Sequence, residues 1–517
     1  MTSRLAAKFW PLLLAVAILS SAFATALSVV DLGVQNPRAT TAVFVPRVGG
    51  SVSLEVGLRK EQRIAGFGAS GAWWSGLLYR FKPDVQKKLG ELLFTAHGLD
   101  LSQFRFNIGG GGVGVKVPFK RLATMYVGPG RFDWNRDAAG VYYLRMAQRY
   151  GVRDLIGFVN SAPPAFTTNH QSCAGSLMES EIVPYADYLA QLVAGLRSHL
   201  GIKLSYVSPM NEPANAFPSC KQEGMAVPVA LRGPLVVALG RALARYAPWC
   251  RIIADESSQI GPLLLHQLPK WIHYPGALHY LSVVAHHAYD FPPASVLREM
   301  RSYIATLHRP SWMTEICCYQ GAHFGYQYDP TISSGLWLAS TIYKDIAIGG
   351  DSAFQWWLAA SPDLGCNTDI QPNCWRHFNY LGRNDGLLYF DINGARNGNQ
   401  ALYLTKRFWV MANFSRFIRP GAVNYATLSD SRSVRALAVR RGHIWTVVVI
   451  NQRPSGDGPL TLQLDFPPGY DVVRSLGAWR TSATLNLSEV SLPQLSGATV
   501  VTSLPSASVT TYQFQVR

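Results

Sequence analysis

The chain has 517 residues, of which 48% are hydrophobic and 15% are charged, with 45 glycines and 31 prolines. This composition excludes an intrinsically disordered chain, a collagen and a small cysteine-dense protein. The net charge of +16 would suit an anionic partner such as nucleic acid, anionic lipid or an acidic polysaccharide. Because the basic residues are scattered, we interpret them as a solvated surface and expect no nucleic acid partner.

The first 26 residues have the pattern of a secretory signal peptide. Arg4 and Lys8 precede a short apolar stretch from Phe9 to Phe23, and small residues follow that offer cleavage sites. The stretch is shorter than the ~20 apolar residues that a membrane-spanning helix needs. We therefore expect a secreted, extracellular protein without a stable membrane anchor; an uncleaved anchor is the alternative.

Eight short apolar or β-branched runs alternate with helix-like stretches between residues 63 and 410. The predicted strands are Arg63–Ala69, Leu101–Ile108, Asp154–Asn160, Leu204–Met210, Arg251–Asp255, Tyr280–His286, Ser311–Glu315 and Ala353–Leu358. Eight strand–helix repeats are typical of an α/β fold of the (β/α)₈ TIM-barrel type. A doubly wound open sheet is disfavoured because no Gly-x-Gly-x-x-Gly motif opens a first helix. Gly109–Gly112 is interpreted as a tight loop at the barrel rim.

The last hundred residues predict an all-β sandwich module attached to this barrel. Their hydrophobicity alternates between Gly, Pro and Ser turns, as in Arg435–Val439 and Ile444–Ile450. Val43–Leu58 is also strand-like and is predicted to pair with this module. The predicted organisation is a signal peptide at 1–26, an N-terminal segment with strand(s) joining the β-module at 27–60, a catalytic barrel at 61–412 and a β-sandwich at 413–517.

Seven cysteines follow the signal-like segment, and export permits disulfides. An odd number leaves at least one thiol free or paired elsewhere. Cys366 and Cys374 are predicted to form a bridge, whereas adjacent Cys317 and Cys318 are not expected to pair with each other. No cysteine or histidine cluster has zinc spacing, so we predict no metal and no cofactor.

Two glutamates stand where a barrel enzyme carries its catalytic groups, at the C-terminal ends of strands. Glu212 follows the fourth predicted strand within Asn211-Glu212-Pro213, and Glu315 ends the seventh. Retaining glycosidases need two carboxyl groups ~5–5.5 Å apart, which strands on opposite sides of a barrel mouth can supply. Either glutamate alone could be a salt-bridge or capping residue, but the pair predicts glycosidase catalysis with a bell-shaped pH–rate profile.

Several motifs resemble glycoside hydrolase family 30, the group of glucosylceramidases, endo-β-1,6-galactanases and glucuronoxylanases. Besides the two glutamate motifs, they are Gly66–Ser70, Phe104–Gly109, Asn160–Phe166 and Phe414–Gly421. The resemblance runs from about residue 60 to the C-terminus and implies that Glu212 is the acid/base and Glu315 the nucleophile. Trp73-Trp74 and Gln222–Gly224 look closer to endo-β-1,6-galactanase-like members, so β-1,6-galactan or a related polysaccharide is the expected substrate.

Seven residues are predicted to bind substrate or to support the glutamates: Arg105, Asn211, Asn160, Tyr289, His287, Trp74 and Trp356. Arg105 matches the family's arginine beside the nucleophile and is expected to keep Glu315 ionised. Asn211 is expected to hydrogen-bond the sugar 2-OH. Trp74 and Trp356 are predicted to stack on a pyranose ring.

Other interpretations of these residues remain open at this point. Arg105 and His287 would also fit a rim salt bridge and a satisfied rim histidine. Asp255 and Glu256 are interpreted as structural groups or acceptors for sugar hydroxyls. Alternative functions are another family 30 specificity, towards glucosylceramide, β-1,6-glucan or xylan, and a non-catalytic carbohydrate-binding protein on this scaffold. We expect a monomer.

Overall fold

The computed structural model describes residues 50–320, 323–496 and 498–517. The signal peptide predicted at 1–26 lies outside these residues. Eight parallel strands form a closed barrel, because the seventh pairs with the eighth, which pairs with the first. The strands are Gly66–Ser70, Gln103–Ile108, Asp154–Val159, Tyr206–Ser208, Arg251–Ser257, Leu281–His287, Ser311–Glu315 and Ala353–Ser361. The predicted TIM barrel is confirmed, and every predicted strand overlaps one of these eight.

Helices connect the barrel strands, and their buried faces join the strands in one large apolar core. The α-helices are Trp74–Leu78, Pro83–Phe94, Ala138–Arg149, Ile182–Leu200, Val229–Tyr246, Leu265–Trp271, Ala277–Tyr280, Ala294–Thr306, Ile332–Tyr343, Gly394–Asn397 and Lys406–Ser415. Two further strands, Gly386–Phe390 and Leu402–Leu404, extend the sheet beside the eighth barrel strand. Because the barrel is parallel, the carboxyl ends of all eight strands meet at one rim.

The second module is an all-β sheet domain, as predicted. Its strands hydrogen-bond in one ten-stranded order, and strands from both halves of that order share an apolar core of their own. They are Ser51–Arg63, Val423–Ser429, Val434–Arg441, Ile444–Asn451, Leu460–Asp465, Val472–Thr481, Ser488–Glu489, Gln494–Ser496, Thr499–Leu504 and Ser508–Val516. The strand that precedes the barrel, Ser51–Arg63, therefore belongs to this module, where it pairs with Val423–Ser429 and Leu460–Asp465.

Polar contacts fix the module against the barrel. Asn413, on the last barrel helix, donates from Nδ2 to Thr511 Oγ1 at 2.9 Å and accepts at Oδ1 from Thr481 Oγ1 at 2.7 Å. All three residues are buried. Because buried polar groups that satisfy one another specify a single arrangement, this contact favours rigid docking of the two parts.

The cysteines form three disulfides, Cys173–Cys220, Cys317–Cys318 and Cys366–Cys374, and leave Cys250 as a buried free thiol. The bridge between Cys366 and Cys374 is as predicted. The expectation for the adjacent pair was wrong: Cys318 takes a left-handed backbone conformation with φ 59°, a turn that brings the two sulfurs together. Within the described residues, no helix combines the length and apolarity needed to cross a bilayer.

Candidate active site

The two predicted glutamates face each other at the carboxyl-end rim of the barrel. A carboxylate oxygen of Glu212 lies within 4.8 Å of one of Glu315. Glu315 ends its strand, whereas Glu212 lies in the turn after the fourth strand with φ 46°, and its N–H donates to the Glu256 carbonyl at 3.0 Å. Only 8% of Glu212 and 4% of Glu315 is exposed. The left-handed backbone conformation at Glu212 is unfavourable for a residue with a Cβ, so the surrounding structure must hold Glu212 in it.

Arg105 joins the two sides of the site. This fully buried side chain donates from Nη1 to Glu315 Oε2 and from Nη2 to Asn211 Oδ1 at 2.7 Å and Glu256 Oε2 at 3.2 Å. Its guanidinium lies 3.7 Å from the centre of the Phe158 ring. One planar cation thus orients three side chains from three strand ends, which suits the fixed fork of donors in arginine.

His287 is placed between three carboxylates. Its Nδ1 lies 3.1 Å from Glu212 Oε1 and 3.7 Å from Glu315 Oε1, and its Nε2 lies 3.0 Å from Glu256 Oε2. Burial alone would lower the pKa of this imidazole, but the charge of Glu315 and the hydrogen bonds to Glu212 and Glu256 outweigh it and raise the pKa to about 9. The ring is therefore a cation at neutral pH and donates from both nitrogens.

Glu256 belongs to the site, although the sequence analysis did not predict a role for it beside the two catalytic glutamates. Its carboxylate accepts hydrogen bonds from Arg105, His287 and Thr314. Burial would raise its pKa, yet the charge of Arg105 and the hydrogen bond and charge of His287 hold the pKa at about 2. The permanent negative charge of Glu256 anchors the two cations that contact the catalytic pair. Its position at the end of the fifth strand was the only available signal.

Glu315 is held by a second hydrogen-bond donor besides Arg105. The Tyr289 hydroxyl donates to Glu315 Oε1 at 3.0 Å. Burial raises the pKa of Glu315 above its ordinary value; His287 and Arg105 oppose this shift, while the charge of Glu212 adds to it. We expected Arg105 to keep this carboxyl ionised. The positive charge of Arg105 does not fully offset the effect of burial and of the Glu212 carboxylate on the pKa of Glu315.

The comparisons with known proteins agree with this geometry. The sequence profile of O-glycosyl hydrolase family 30 matches residues 51–365. The chain belongs to this family. It is a glycoside hydrolase, and the resemblance noted from its motifs is confirmed.

Solved structures share the fold of this family 30 hydrolase at low sequence identity. A conserved exported protein from Bacteroides fragilis matches with a TM-score of 0.73 and 21% identity, covering 89% of this chain and 100% of that one. The catalytic domain of a family 30 xylanase C from Talaromyces cellulolyticus has a TM-score of 0.69 and 21% identity, covering 90% and 100%. An endo-β-1,6-glucanase has a TM-score of 0.66 and 16% identity, covering 91% and 94%.

The tryptophans predicted to stack on sugar in this family 30 hydrolase do not reach the cleft. Trp74 and Trp356 are fully buried; their Nε1 atoms donate to the backbone carbonyls of Ser70 and Asp385 at 2.9 and 2.7 Å. Their neighbours Trp73 and Trp357 instead pack edge to face at 5.0 Å, and the Trp357 ring also contacts Phe158 beside Arg105. Side chains of adjacent residues point in opposite directions. In each tryptophan pair the ring predicted to stack on sugar is therefore the one that faces away from the barrel interior.

Three other side chains near the rim lie outside this network. Asn160 donates from Nδ2 to Asn107 Oδ1 at 3.0 Å, and its own buried Oδ1 accepts no hydrogen bond from the described residues. His286 contacts Asp351 at 3.0 Å through Nε2 and so faces away from the glutamates. Asp255 is paired with Arg232 at 3.0 Å, which fits its interpretation as a structural group.

The glycine loop at the rim is occupied by a side chain of the protein itself. Glu223 accepts from the N–H groups of Gly110 and Gly112 at 3.1 and 2.8 Å. Burial raises the pKa of this carboxyl to about 8, although the backbone donors oppose the shift. These donors therefore hold a carboxyl group of the chain, in line with the interpretation of Gly109–Gly112 as a rim loop.

Glu212, His287 and Glu315 present three potential ligand atoms within 4.8 Å of one another, close enough to hold a metal ion. The same carboxylates already contact a protonated His287 and the guanidinium of Arg105. A divalent cation would have to displace or repel both cations. The donor set therefore fits proton transfer and nucleophilic attack better than metal binding.

Proposed function

We propose that this family 30 hydrolase is a retaining β-glycosidase that works by double displacement. The observation that carries the proposal is the close approach of the Glu212 and Glu315 carboxylates, within 4.8 Å. Retaining enzymes have carboxyl groups ~5–5.5 Å apart, whereas inverting enzymes leave ~6.5–9.5 Å for a water molecule. The close approach of the two carboxylates in this site supports the retaining arrangement over the inverting one.

Each glutamate has surroundings that suit one role. Glu315 is the nucleophile: Arg105 and Tyr289 both donate to its carboxylate and fix its direction of attack on the anomeric carbon. Glu212 is the acid/base: it protonates the leaving oxygen and then takes a proton from the water that hydrolyses the glycosyl–enzyme intermediate. Asn211 accepts from Arg105 through Oδ1, which directs its amide N–H groups to other acceptors, and we assign them to the sugar 2-OH.

We further propose that the enzyme is secreted and acts on a polysaccharide, β-1,6-galactan or a related β-1,6-linked glycan. The signal-like N-terminus supports export, as does the similarity to an exported protein. The galactanase-like motifs and the similarity to an endo-β-1,6-glucanase favour a β-1,6 linkage, while the similarity to xylanases makes xylan the competing substrate.

Two isosteric variants test the assigned roles. Glu315→Gln should lose almost all activity on every substrate, because no other group forms the glycosyl–enzyme bond. Glu212→Gln should lose activity on an alkyl β-glycoside far more than on a 2,4-dinitrophenyl β-glycoside, because the dinitrophenolate leaves without protonation. The measurement is kcat/KM for both substrate types in both variants.

The same assays separate the competing functions. Equal losses on both substrates in Glu212→Gln would contradict its assignment as acid/base. If the wild type turns over none of the aryl β-glycosides, β-1,6-galactan, β-1,6-glucan and glucuronoxylan but binds one of the glycans, the protein is a carbohydrate-binding scaffold. Product analysis across the three polymers identifies the sugar and the linkage.

A further inference from the structure

Exposed aromatic side chains are concentrated at one edge of the barrel mouth. Among the described residues, seven tyrosines or phenylalanines are strongly exposed, and four of them lie in two loops at the carboxyl-end rim. They are Phe324 and Tyr326, after the seventh strand, and Phe378 and Tyr380, after the eighth; we call these four residues the aromatic rim. Their exposure ranges from 42% for Phe378 to 68% for Tyr380. Exposed apolar groups clustered at a cleft mark binding surfaces.

The aromatic rim begins one side chain away from the catalytic glutamates. The Phe324 ring packs edge to face against Tyr289 at a centroid distance of 5.7 Å. Tyr289 is the residue whose hydroxyl donates to Glu315. Only one ring therefore separates the aromatic rim from the nucleophile, so a chain of sugars leaving the cleft on this side passes over Phe324 first.

The two loops of the aromatic rim are tied to each other. Tyr328 and Asn379 exchange backbone hydrogen bonds of 2.8 and 3.0 Å, and Asn379 lies between Phe378 and Tyr380 in the chain. The disulfide Cys366–Cys374 closes the same loop. A surface held in this way loses little conformational entropy when it binds a ligand.

The rings are also fixed individually. The guanidinium of Arg383 lies 4.0 Å from the centre of the Tyr326 ring and 5.6 Å from that of Phe324. Phe378 and Tyr380 pack edge to face at 4.7 Å. Phe324 and Tyr326 are thus supported on one side by Arg383, while 49% of Phe324 and 54% of Tyr326 stays exposed.

We propose that the aromatic rim binds pyranose rings of the polymeric substrate beyond the cleavage point, and so makes the enzyme act on long glycan chains. The proposal rests on the glycosidase function proposed above. Aromatic side chains supply large, rigid contact areas, and the C–H face of a pyranose is the sugar surface that stacks on them. Because this contact lies outside the catalytic centre, it contributes to binding of a polymer and not to cleavage of a single glycoside.

The test compares Phe324→Ala and Tyr380→Ala with Tyr246→Ala. Tyr246 is a matched control: it is 41% exposed and also lies near an arginine, but it ends a helix far along the chain from the rim loops. Assays use a 4-nitrophenyl β-glycoside and whichever of β-1,6-galactan, β-1,6-glucan and glucuronoxylan the wild type cleaves fastest. Affinity electrophoresis in gels containing each polymer measures binding without turnover.

For each rim variant we expect KM for the polymer to rise by at least about threefold, as the loss of one aromatic contact predicts. Retardation in the polymer gel should fall in parallel in both rim variants, while kcat/KM of Tyr380→Ala on the aryl glycoside and all values for Tyr246→Ala stay at wild-type levels. Equal polymer KM in the rim variants and the control would overturn the proposal, as would a wild-type dimer that Tyr380→Ala dissociates. Absence of turnover by the wild type would instead refute the proposed function.

Discussion

His287 hydrogen-bonds the carboxylate of Glu212 at 3.1 Å and, on its other nitrogen, the carboxylate of Glu256, whose pKa is held at about 2. The ring therefore brings a positive charge next to both catalytic glutamates. This charge, together with that of Arg105, allows two buried carboxylates to lie within 4.8 Å of each other.

Removing the charge of His287 should shift the pH profile. His287→Gln keeps a hydrogen-bond donor but is neutral at every pH. Because a cation beside Glu315 favours its ionised form, we expect the acid limb of kcat/KM to move to higher pH by about one unit. The measurement is the pH dependence of kcat/KM on an aryl β-glycoside. An acid limb at the wild-type pH would show that this ring does not stabilise the ionised nucleophile.

Neighbouring carboxylates on the fifth strand should respond differently to neutralisation. Glu256→Gln weakens the anchoring of Arg105 and His287, so we expect kcat to fall by about 100-fold, as misplacement of catalytic groups typically costs. Asp255→Asn weakens the contacts of this carboxylate with Arg232 and Ser257 and serves as the matched control, with a loss of thermal stability and a smaller change in kcat. Steady-state kinetics and melting curves of both variants check this. Similar kcat values in the two would contradict a positioning role for Glu256.

The four tryptophans should divide into two classes. Trp74→Ala should destabilise the fold by ~3–5 kcal/mol, because it leaves a cavity between the barrel and its helices. Trp357→Ala should instead reduce kcat/KM with a smaller loss of stability, because its ring packs against Phe158, whose own ring contacts Arg105. Denaturant unfolding and kinetics on an aryl β-glycoside separate these outcomes. A loss of activity confined to Trp74→Ala would reverse our assignment of the rings.

The stability of the rim loop should depend on pH through Glu223. Its folded-state pKa of about 8 is above its ordinary value, so its contribution to stability is complete below about pH 4.5 and is lost as the pH rises through 8. We therefore expect Tm to fall between pH 5 and pH 9 in the wild type, and to fall less in Glu223→Gln. Glu179→Gln, at an exposed glutamate, is the control and should keep the wild-type slope.

The barrel was predictable because its strands leave a strong pattern. Runs such as Ser311–Glu315 combine apolar and β-branched residues and end in a functional group, so both the fold and the catalytic pair followed from reading strand ends. The choice between Trp73 and Trp74 required knowing which of the two side chains points into the barrel after the strand has ended. The sequence does not determine this direction. The role of Glu256 depends on distances to Arg105 and His287 that arise only when three strands meet.

The vicinal disulfide illustrates the same limit. Pairing of Cys317 with Cys318 depends on a left-handed backbone at Cys318, and a pair of adjacent cysteines carries no signal for that conformation. By contrast, Cys366 and Cys374 are spaced for a loop closure that any flexible segment can reach. Local spacing predicts a bridge well only when the chain between the cysteines is free to turn.

The stereochemistry of hydrolysis tests the central claim most directly. Proton NMR of the first sugar released from a 2,4-dinitrophenyl β-glycoside distinguishes the anomers before they equilibrate. Two displacements at one carbon predict that the β-anomer appears first. Initial release of the α-anomer would mean that water attacks in a single step, and would contradict the assignment of Glu315 as a nucleophile.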